Sequence, residues 1–291
     1  MNRAISLFIA LYITQSSPVP EWQIAAGRSM AFEGASVRPT DTFTPPSVPM
    51  SPDNSYRPTG GLLTASFPLI TYIQFAYKLS LTAEQRQTFL ARLPKWISTD
   101  RFAIQARAAN GNPTKDQMRL MMQSLLADRF KLAIHFEKQE QAVFGLTLIK
   151  PGKLGPQLRP HSEGTPCDAE GIHAFPPICD TFEAEMNADK KVLMGSRNNT
   201  MRTIAETLPA AYDFGRPVVD QTGLSGTFDF TIEYIPEAGA SVAPPGTTSP
   251  ADIRGATFLE ALKDQLGLKI EASRAILDIP VIDHVERPSE N

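Results

Sequence analysis

A chain of 291 residues is long enough for one large domain or two smaller ones, each with its own hydrophobic core. Hydrophobic residues make up 42% and charged residues 20%, which is typical of a soluble globular protein. The net charge is −3 and there is no run of lysine or arginine, so nothing in the composition would neutralise the phosphates of a nucleic acid. Nucleic-acid binding is therefore not expected.

The N-terminal segment 1–17 has the layout of a secretory signal peptide. Arg3 carries a positive charge, residues 4–13 form an uninterrupted apolar run, and small polar residues and prolines follow. This run is too short to span a bilayer comfortably, which favours cleavage over a permanent anchor. We expect an exported protein, periplasmic or extracellular, with no stable membrane span after signal cleavage. The alternative is an ordinary N-terminal core helix.

The first part of the chain alternates between short strands and amphipathic helices. The helix at 113–129 has the strongest pattern, because Thr114 can cap its start and methionines and leucines fall on one face. The polar segment 137–141 separates two apolar stretches and predicts a hairpin. The predicted elements are strands at 31–38 and 62–66, helices at 68–79 and 82–93, a strand at 101–107, the helix at 113–129, and hairpin strands at 130–136 and 142–149.

Residues 151–190 are rich in proline and show no convincing periodicity, which predicts a connector. Regular patterns return after it and are interrupted by a second flexible segment at 236–251. The predicted elements here are strands at 192–196, 217–220 and 227–235, helices at 200–208 and 257–266, and a closing hairpin of strands 268–272 and 276–284.

The stretch 215–236 predicts a strand, a glycine turn and a longer strand. In the longer strand apolar and polar residues alternate, so the polar ones, Asp229 among them, should face water. The apolar set is Phe228, Phe230, Ile232 and Tyr234, and the turn is formed by Asp220, Thr222, Gly223 and Gly226. Glycine permits the reversal of the chain, and the Asp220 carboxylate is expected to accept hydrogen bonds from turn amides.

Similar residues recur between the two parts of the chain. Leu126, Asp128, Leu132 and Ile134 match Leu262, Asp264, Leu268 and Ile270 at a separation of 136, and Phe102 and Ile104 match Phe228 and Phe230 at a separation of 126. We therefore predict an α+β fold of two similar halves, produced by internal duplication, each a mostly antiparallel sheet with helices on one side. The predicted boundaries are 30–150, the connector 151–190, and 191–291. Chance similarity between amphipathic elements is the alternative.

The two cysteines, Cys167 and Cys179, both lie in the predicted connector. In an exported chain, two cysteines twelve residues apart are most simply a disulfide that closes a loop. A second interpretation is a zinc site, because His161 and His173 complete a regular six-residue spacing with the cysteines. That spacing lacks close ligand pairs and an oxidising compartment removes thiolates, so we predict the disulfide, no metal and no cofactor.

No established catalytic signature is present, whether a serine elbow, a zinc-protease helix or a phosphate-binding loop. A hydrolase with an unrecognised site would draw on residues such as Asp220, Asp229 or His284. His135 and His284 each lie within a predicted strand, where a lone histidine usually packs at the surface. Asp283 and His284 are adjacent and should point to opposite faces of their strand, so they cannot form an orienting pair. We assign no catalytic residue.

Four groups of motifs resemble a bacterial family known as a domain of unknown function. They are FE at 32–33 with ASVRP at 35–39, LLADRFKL at 125–132, PVVD at 217–220 followed by TGL at 222–224, and VIDHVERP at 281–288. The resemblance covers residues 31–291. It departs at Phe67 and Pro68, where the family more often has a polar helix cap, and in the long loop at 39–58.

The resemblance implies an uncharacterised exported protein of a kind abundant in soil Acidobacteria such as Solibacter. Members of this family occur alone behind a signal peptide, or fused after membrane metallopeptidase sensors of the BlaR1 type. No active site is known for the family, so no catalytic residue carries over. The zinc ligands of the fused sensors belong to a different domain and have no counterpart here.

Together these features predict a non-catalytic binding or sensory module of the bacterial envelope, which holds a small ligand or an envelope protein partner in a groove between the halves. A hydrolase with an unrecognised active site is one alternative. The other is a structural envelope-associated protein that acts through its sheet edges.

Overall fold

The computed structural model describes residues 19–27, 29–54, 56, 58–167, 174–212, 214–236 and 255–288. The predicted signal peptide, most of the predicted linker at 236–251 and His173 lie outside these ranges. In the described part of the chain, no helix is long and apolar enough to cross a membrane.

The described residues form an α+β fold with seven helices and ten strands. The helices are α1 (Glu21–Ala26), α2 (Leu69–Ala76), α3 (Ala83–Ala91), α4 (Trp96–Thr99), α5 (Lys115–Arg129), α6 (Met201–Ala211) and α7 (Phe258–Leu266). The strands are β1 (Gly34–Pro39), β2 (Leu62–Pro68), β3 (Arg101–Arg107), β4 (Ala133–Leu148), β5 (Leu158–Pro160), β6 (Phe182–Met186), β7 (Val192–Thr200), β8 (Val218–Asp220), β9 (Thr227–Tyr234) and β10 (Leu268–His284). A short 3-10 helix, His161–Glu163, follows β5.

These strands form three sheets. The first has the order β1-β3-β2, the second β10-β4-β8 and the third β5-β9-β7-β6. All pairings are antiparallel except that of β4 with β8. The segment 151–190 is less irregular than predicted, because it contributes β5 and β6 to the two edges of the third sheet.

Two separate hydrophobic clusters stabilise the fold. The first core lies between the first sheet, α2 and α5, and its buried residues include Val37, Leu63, Ile73, Phe75, Phe102, Met122, Leu126 and Phe130. The second core lies between the third sheet, α6 and α7, and includes Leu146, Val192, Ile204, Leu208, Phe228, Phe230, Phe258 and Leu262. Burial of each such side chain stabilises the fold by about 1.5–3 kcal/mol.

Two predicted hairpins are wrong. The stretches 130–136 and 142–149 do not pair with each other, because 133–148 is one continuous strand, β4. The stretches 268–272 and 276–284 likewise form one strand, β10, and the two long strands pair with each other along their whole length. The polar segment 137–141 contains no glycine, proline or asparagine to turn the chain, and it is polar because solvent reaches the ribbon there.

This two-stranded ribbon of β4 and β10 connects the two cores. Its end at Ile134 and Ile282 packs against the first core, whereas its other end at Phe144 and Ile270 packs against the second. Each core is therefore completed by the start of one long strand and the end of the other.

The predicted reversal in 215–236 does not close a hairpin. β8 pairs in parallel with β4 in the second sheet, whereas β9 is a central strand of the third. The predicted apolar face of β9 is buried, as expected. Its polar face is only partly exposed, because Asp229 is buried under the 3-10 helix after β5.

The order of elements is repeated along the chain. β2, α2, β3, α5 and β4 occur in the same order as β7, α6, β9, α7 and β10, with α3 and α4 inserted in the first series and β8 inserted in the second. In the ribbon, Glu140 pairs with Ile276, which is the residue 136 positions later, so the register maps onto itself at that separation up to the irregularity after Ile282. Lys131 and Gly267, also 136 apart, both have positive φ at a helix C-terminus.

Candidate functional site

A cleft of about 570 Å³ lies between the two cores. Its walls come from the α2–α3 loop of the first core, α6 and the approach to β8 of the second core, and the middle of β10. The lining residues are Lys78 to Ala83, Gln85, Arg202, Glu206, Pro209, Gly215, Pro217 to Val219, and Ile276 to Pro280. Two contacts close the cleft on the α3 side: Ser80 Oγ donates to the carbonyl of Glu206 at 3.1 Å, and Gln85 Nε2 donates to Gln141 Oε1 at 3.3 Å.

Glu206 supplies a carboxylate to this cleft. Thr200 caps α6 by accepting a hydrogen bond from the Thr203 amide, and the helix then carries Arg202 and Glu206 on one face, one turn apart. No described residue donates a hydrogen bond to the Glu206 carboxylate. Solvent still reaches it, but the surrounding protein raises its pKa through desolvation, against the opposing effect of Arg202 and Lys78.

Positive charge in the cleft comes from Arg202 and Lys78. Lys78 has positive φ, at 56°, and its ammonium donates to Asn54 Oδ1 at 2.9 Å and lies 3.4 Å from Asp116 Oδ1. Burial lowers the pKa of Lys78, and nearby Arg119 reinforces this effect. Arg202 is exposed.

The opposite wall is largely apolar. Ile276 is 68% exposed although it is a large aliphatic residue, and Pro217, just before β8, and Val218 also line the cleft. The lining residues include neither histidine nor cysteine. Apolar surface beside two carboxylates, those of Glu206 and Asp278, and two cations is suited to binding a charged organic molecule, and the lining offers no nucleophile paired with a base.

A second cluster lies at the edge of the third sheet. His161 Nδ1 is 2.6 Å from Asp229 Oδ1, and His161 Nε2 is 3.4 Å from Cys167 Sγ. Cys167 and Cys179 form a disulfide. This pairing is the one predicted from the sequence, and it leaves neither sulfur as the free thiolate that the alternative zinc site requires.

The geometry of Asp229 depends on an irregularity in β7. The register between β7 and β9 shifts after Ser196, and Asn198 there has a φ of 59°. Its amide consequently donates to Asp229 Oδ1 at 3.0 Å instead of extending the ladder. Gly164 approaches the other oxygen so closely that a Cβ at that position would clash with it.

The segments that flank the disulfide are held by Arg197, which is 1% exposed. Its guanidinium donates to the carbonyls of Thr165 and Pro166, before Cys167, and to those of Pro176 and Pro177, before Cys179. The four distances lie between 2.6 and 3.3 Å. The planar fork of arginine suits this role, because five N–H donors diverge from one buried group.

The remaining candidate residues are not brought together. Asp220 accepts hydrogen bonds from the amide and hydroxyl of Thr222 at 2.8 and 2.7 Å, at the turn after β8. His284 bonds Glu286, and Asp283 bonds His135 across the ribbon. Gly223 and Gly226 both have positive φ in that turn.

The fold and these sites describe an α+β protein with two cores, an exposed ribbon between them, an interlobe cleft and a histidine-flanked disulfide. Comparison with known protein families identifies the family to which this chain belongs. The family described as "Protein of unknown function (DUF3738)" matches residues 70–285, and the chain belongs to that family. No curated protein and no solved structure matches it.

The sequence reasoning missed Glu206 and the cleft. Glu206 looks like any solvent-facing residue of an amphipathic helix, and its neighbours across the cleft are 78–85 and 276–280, which are distant along the chain. The sequence carried a weak indication that Asp229 is buried, because an acidic residue is unusual between two aromatic residues of one strand.

Proposed function

We propose that this protein is a non-catalytic binding or sensory module whose ligand occupies the cleft between the two cores. The observation that carries the proposal is the Glu206 carboxylate, which accepts no hydrogen bond from the described residues and lines the same cleft as the exposed Ile276. A carboxylate with no protein donor, close to two cations, can offer its hydrogen-bonding capacity to a ligand.

The chemistry of the walls favours a zwitterionic ligand such as a short peptide. Its amino group would pair with Glu206, its carboxylate with Arg202, and its side chains would cover Ile276. The cleft volume, about 570 Å³, is in the range of small-molecule sites.

The test is calorimetric titration of the purified protein with di- and tripeptides, cell-wall peptides and oligosaccharides. We expect binding of a peptide class, and we expect Glu206→Gln to weaken it on the order of tenfold, because a charge-assisted hydrogen bond is lost. The matched control is Glu185→Gln, since Glu185 is exposed on β6 and does not line the cleft. No binding across the panel, or equal affinity in both variants, contradicts the proposal.

Export and internal duplication belong to the same proposal. The disulfide and the absence of a spanning helix from the described residues are consistent with export. The repeated order of elements and the self-mapping register of the ribbon support a duplication that gave two halves, with the cleft between them. The soil-acidobacterial origin and the fusion to membrane sensors remain expectations from the resemblance.

The hydrolase alternative lacks support from Asp220, Asp229 and His284. Asp220 is bonded to Thr222, Asp229 to His161 and His284 to Glu286, so the three share no partner.

A further inference from the structure

We infer that the Cys167–Cys179 disulfide is a thiol–disulfide exchange site, in which His161 stabilises Cys167 as the leaving thiolate when an external dithiol attacks Cys179. The inference rests on a chain of three contacts from a buried carboxylate, through an imidazole, to one of the two sulfurs. It is independent of the ligand proposed for the cleft.

The first step is the position of His161. Its Nε2 lies 3.4 Å from Cys167 Sγ, within reach of a charge-assisted hydrogen bond to a thiolate at that sulfur. The Nδ1 atom lies 2.6 Å from Asp229, whose ionised carboxylate can only accept a hydrogen bond. Nδ1 therefore carries a proton, and Nε2 is the nitrogen that takes up or releases one beside the sulfur.

The second step is the burial of Asp229. Its side chain is 5% exposed, and Oδ1 also accepts from the Asn198 amide. Oδ2 has no hydrogen-bond partner among the residues that the structure describes; the Arg159 Nε lies 3.8 Å from it. A buried carboxylate in this position fixes the orientation of the His161 imidazole, with Nε2 toward Cys167 Sγ.

Other charged groups around His161 come from the neighbouring elements. Asp180 follows Cys179, accepts a hydrogen bond from Asn198 Nδ2 at 2.9 Å and is close enough for His161 to influence it. Burial raises the pKa of Asp180. Glu163 is on the same short helix as His161 and is exposed.

The third step is the clamp by Arg197. It binds the carbonyls of Thr165 and Pro166, next to Cys167, and those of Pro176 and Pro177, three and two residues before Cys179, so both ends of the loop stay in place when the disulfide opens. A disulfide that only closed a loop would have no need of a second, independent restraint. With the clamp, the reduced cysteines remain close enough to reform their bond.

The reaction balances in two displacements. A thiol of the external dithiol gives its proton to solvent and attacks Cys179 Sγ; the S–S bond breaks, and Cys167 leaves as a thiolate while His161 Nε2 takes a proton from solvent. The second thiol of the dithiol then gives its proton to solvent and attacks the external sulfur of the mixed disulfide; Cys179 leaves as a thiolate, which takes up a proton from solvent. The external dithiol is oxidised to a disulfide, and the cysteine pair is reduced by two electrons.

Both sulfurs are at least partly open to solvent. Cys167 is exposed and Cys179 is partly exposed, so solvent can reach the leaving sulfur and a small dithiol can reach the attacked one. A lower thiol pKa on the leaving side accelerates exchange, which makes the sulfur next to His161 the better leaving group.

The experiment measures the rate at which dithiothreitol reduces the disulfide of the full chain at pH 7, followed by mass after acid quench and alkylation. We expect His161→Gln to slow reduction on the order of tenfold and Asp229→Asn to slow it severalfold, because thiolate stabilisation is lost. The matched control is His284→Gln, which removes an exposed histidine bonded to a carboxylate and should leave the rate unchanged.

A second measurement uses only the wild-type protein, so its result does not depend on whether the variants fold. The reduced wild-type protein is titrated by its thiolate absorbance at 240 nm, and we expect one thiol with a pKa below about 7.5, against about 8.5 for a free cysteine. Equal reduction rates in all variants, two ordinary thiols in the titration, or loss of the folded circular dichroism spectrum on reduction would each show a purely structural disulfide and overturn the inference.

Discussion

Two buried arginines determine how loops attach to the elements of this protein. Arg119 and Arg197 are the largest of the fully buried side chains, at 0% and 1% exposure. Arg119, on α5, donates to the carbonyls of Ser51, Pro52 and Asp53, as Arg197 does to the cysteine loop. Both therefore hold proline-containing loops that have few donors of their own. Burial of these charges is tolerated because most of their N–H groups are bonded.

The raised pKa of Glu206 leads to a prediction about how stability depends on pH. Its pKa is raised in the folded state, so the folded chain binds more protons than the unfolded chain between the two pKa values. Its contribution to stability is fully present below the unfolded pKa and is lost as the pH rises through the folded pKa. Glu206→Gln should therefore raise the midpoint of thermal unfolding at pH 7 and leave it nearly unchanged at pH 4.

The increase in the free energy of unfolding caused by Glu206→Gln at pH 7 should be small, below about 1 kcal/mol, because solvent still reaches the carboxylate. Differential scanning calorimetry at both pH values checks it, with Glu185→Gln as the exposed control. An equal gain at pH 4 and pH 7 would mean that burial of the charge is not the cause.

At the scale of elements, the helix starts are encoded locally. Thr82, Thr114 and Thr257 each accept a hydrogen bond from the third helical amide, and the Gln or Glu at that position bonds back to the threonine amide. This reciprocal arrangement satisfies two amides that have no partner within the helix. Only Thr114 was identified as a cap from the sequence, although all three threonines show the same spacing to Gln or Glu.

Removal of a cap is the corresponding prediction. Thr114→Ala should lower the free energy of unfolding by about 1 kcal/mol, because the Gln117 amide loses its acceptor. Urea unfolding measures the change. Thr114→Ser is the matched control and should stay within a few tenths of a kcal/mol of the wild type; equal losses in both variants would argue against capping as the cause.

The strand boundaries of the ribbon could not be predicted in this way. Segment 137–141 is polar in β4, and Ile276 is an exposed aliphatic residue in β10, so neither strand shows the alternation that marks a half-buried sheet. The strands form because each supplies the backbone partners of the other, from a distant part of the chain. Cross-strand ion pairs, such as Arg274 with Glu140 at 2.9 Å, are exposed and add little.

For the whole molecule, the ribbon couples the two cores. Leu268 is buried in the second core at the start of β10, and the far end of the same strand carries Ile282 against the first. The loss of one core therefore removes an element of the other. We expect a single cooperative unfolding transition despite the two separate hydrophobic clusters.

The test uses Trp96, which packs against the first core, as a fluorescence probe. Leu268→Ala creates a cavity in the second core and should destabilise by about 2–5 kcal/mol. The urea midpoint reported by Trp96 should shift by the full amount. Leu259→Ala, on the exposed side of α7, is the control and should shift it little. A Trp96 midpoint unaffected by Leu268→Ala would show that the cores unfold independently.

The sequence alone determined the features that depend on neighbours along the chain. These are the α+β class, the helices at 113–129 and 257–266, the buried face of β9, and the disulfide between the two cysteines. Each follows from a local period, a cap or a small set of possible partners. The family of unknown function was likewise recognisable from short contiguous motifs.

The tertiary structure alone decided which distant segments meet. The pairings of β4 with β10 and with β8, the burial of Asp229 under His161, and the approach of 78–85 and 276–280 to Glu206 all join residues more than sixty positions apart. Such contacts depend on the packing of two cores against a shared ribbon. The periodicity of a single segment cannot predict these contacts, because they depend equally on the residues of the partner segment.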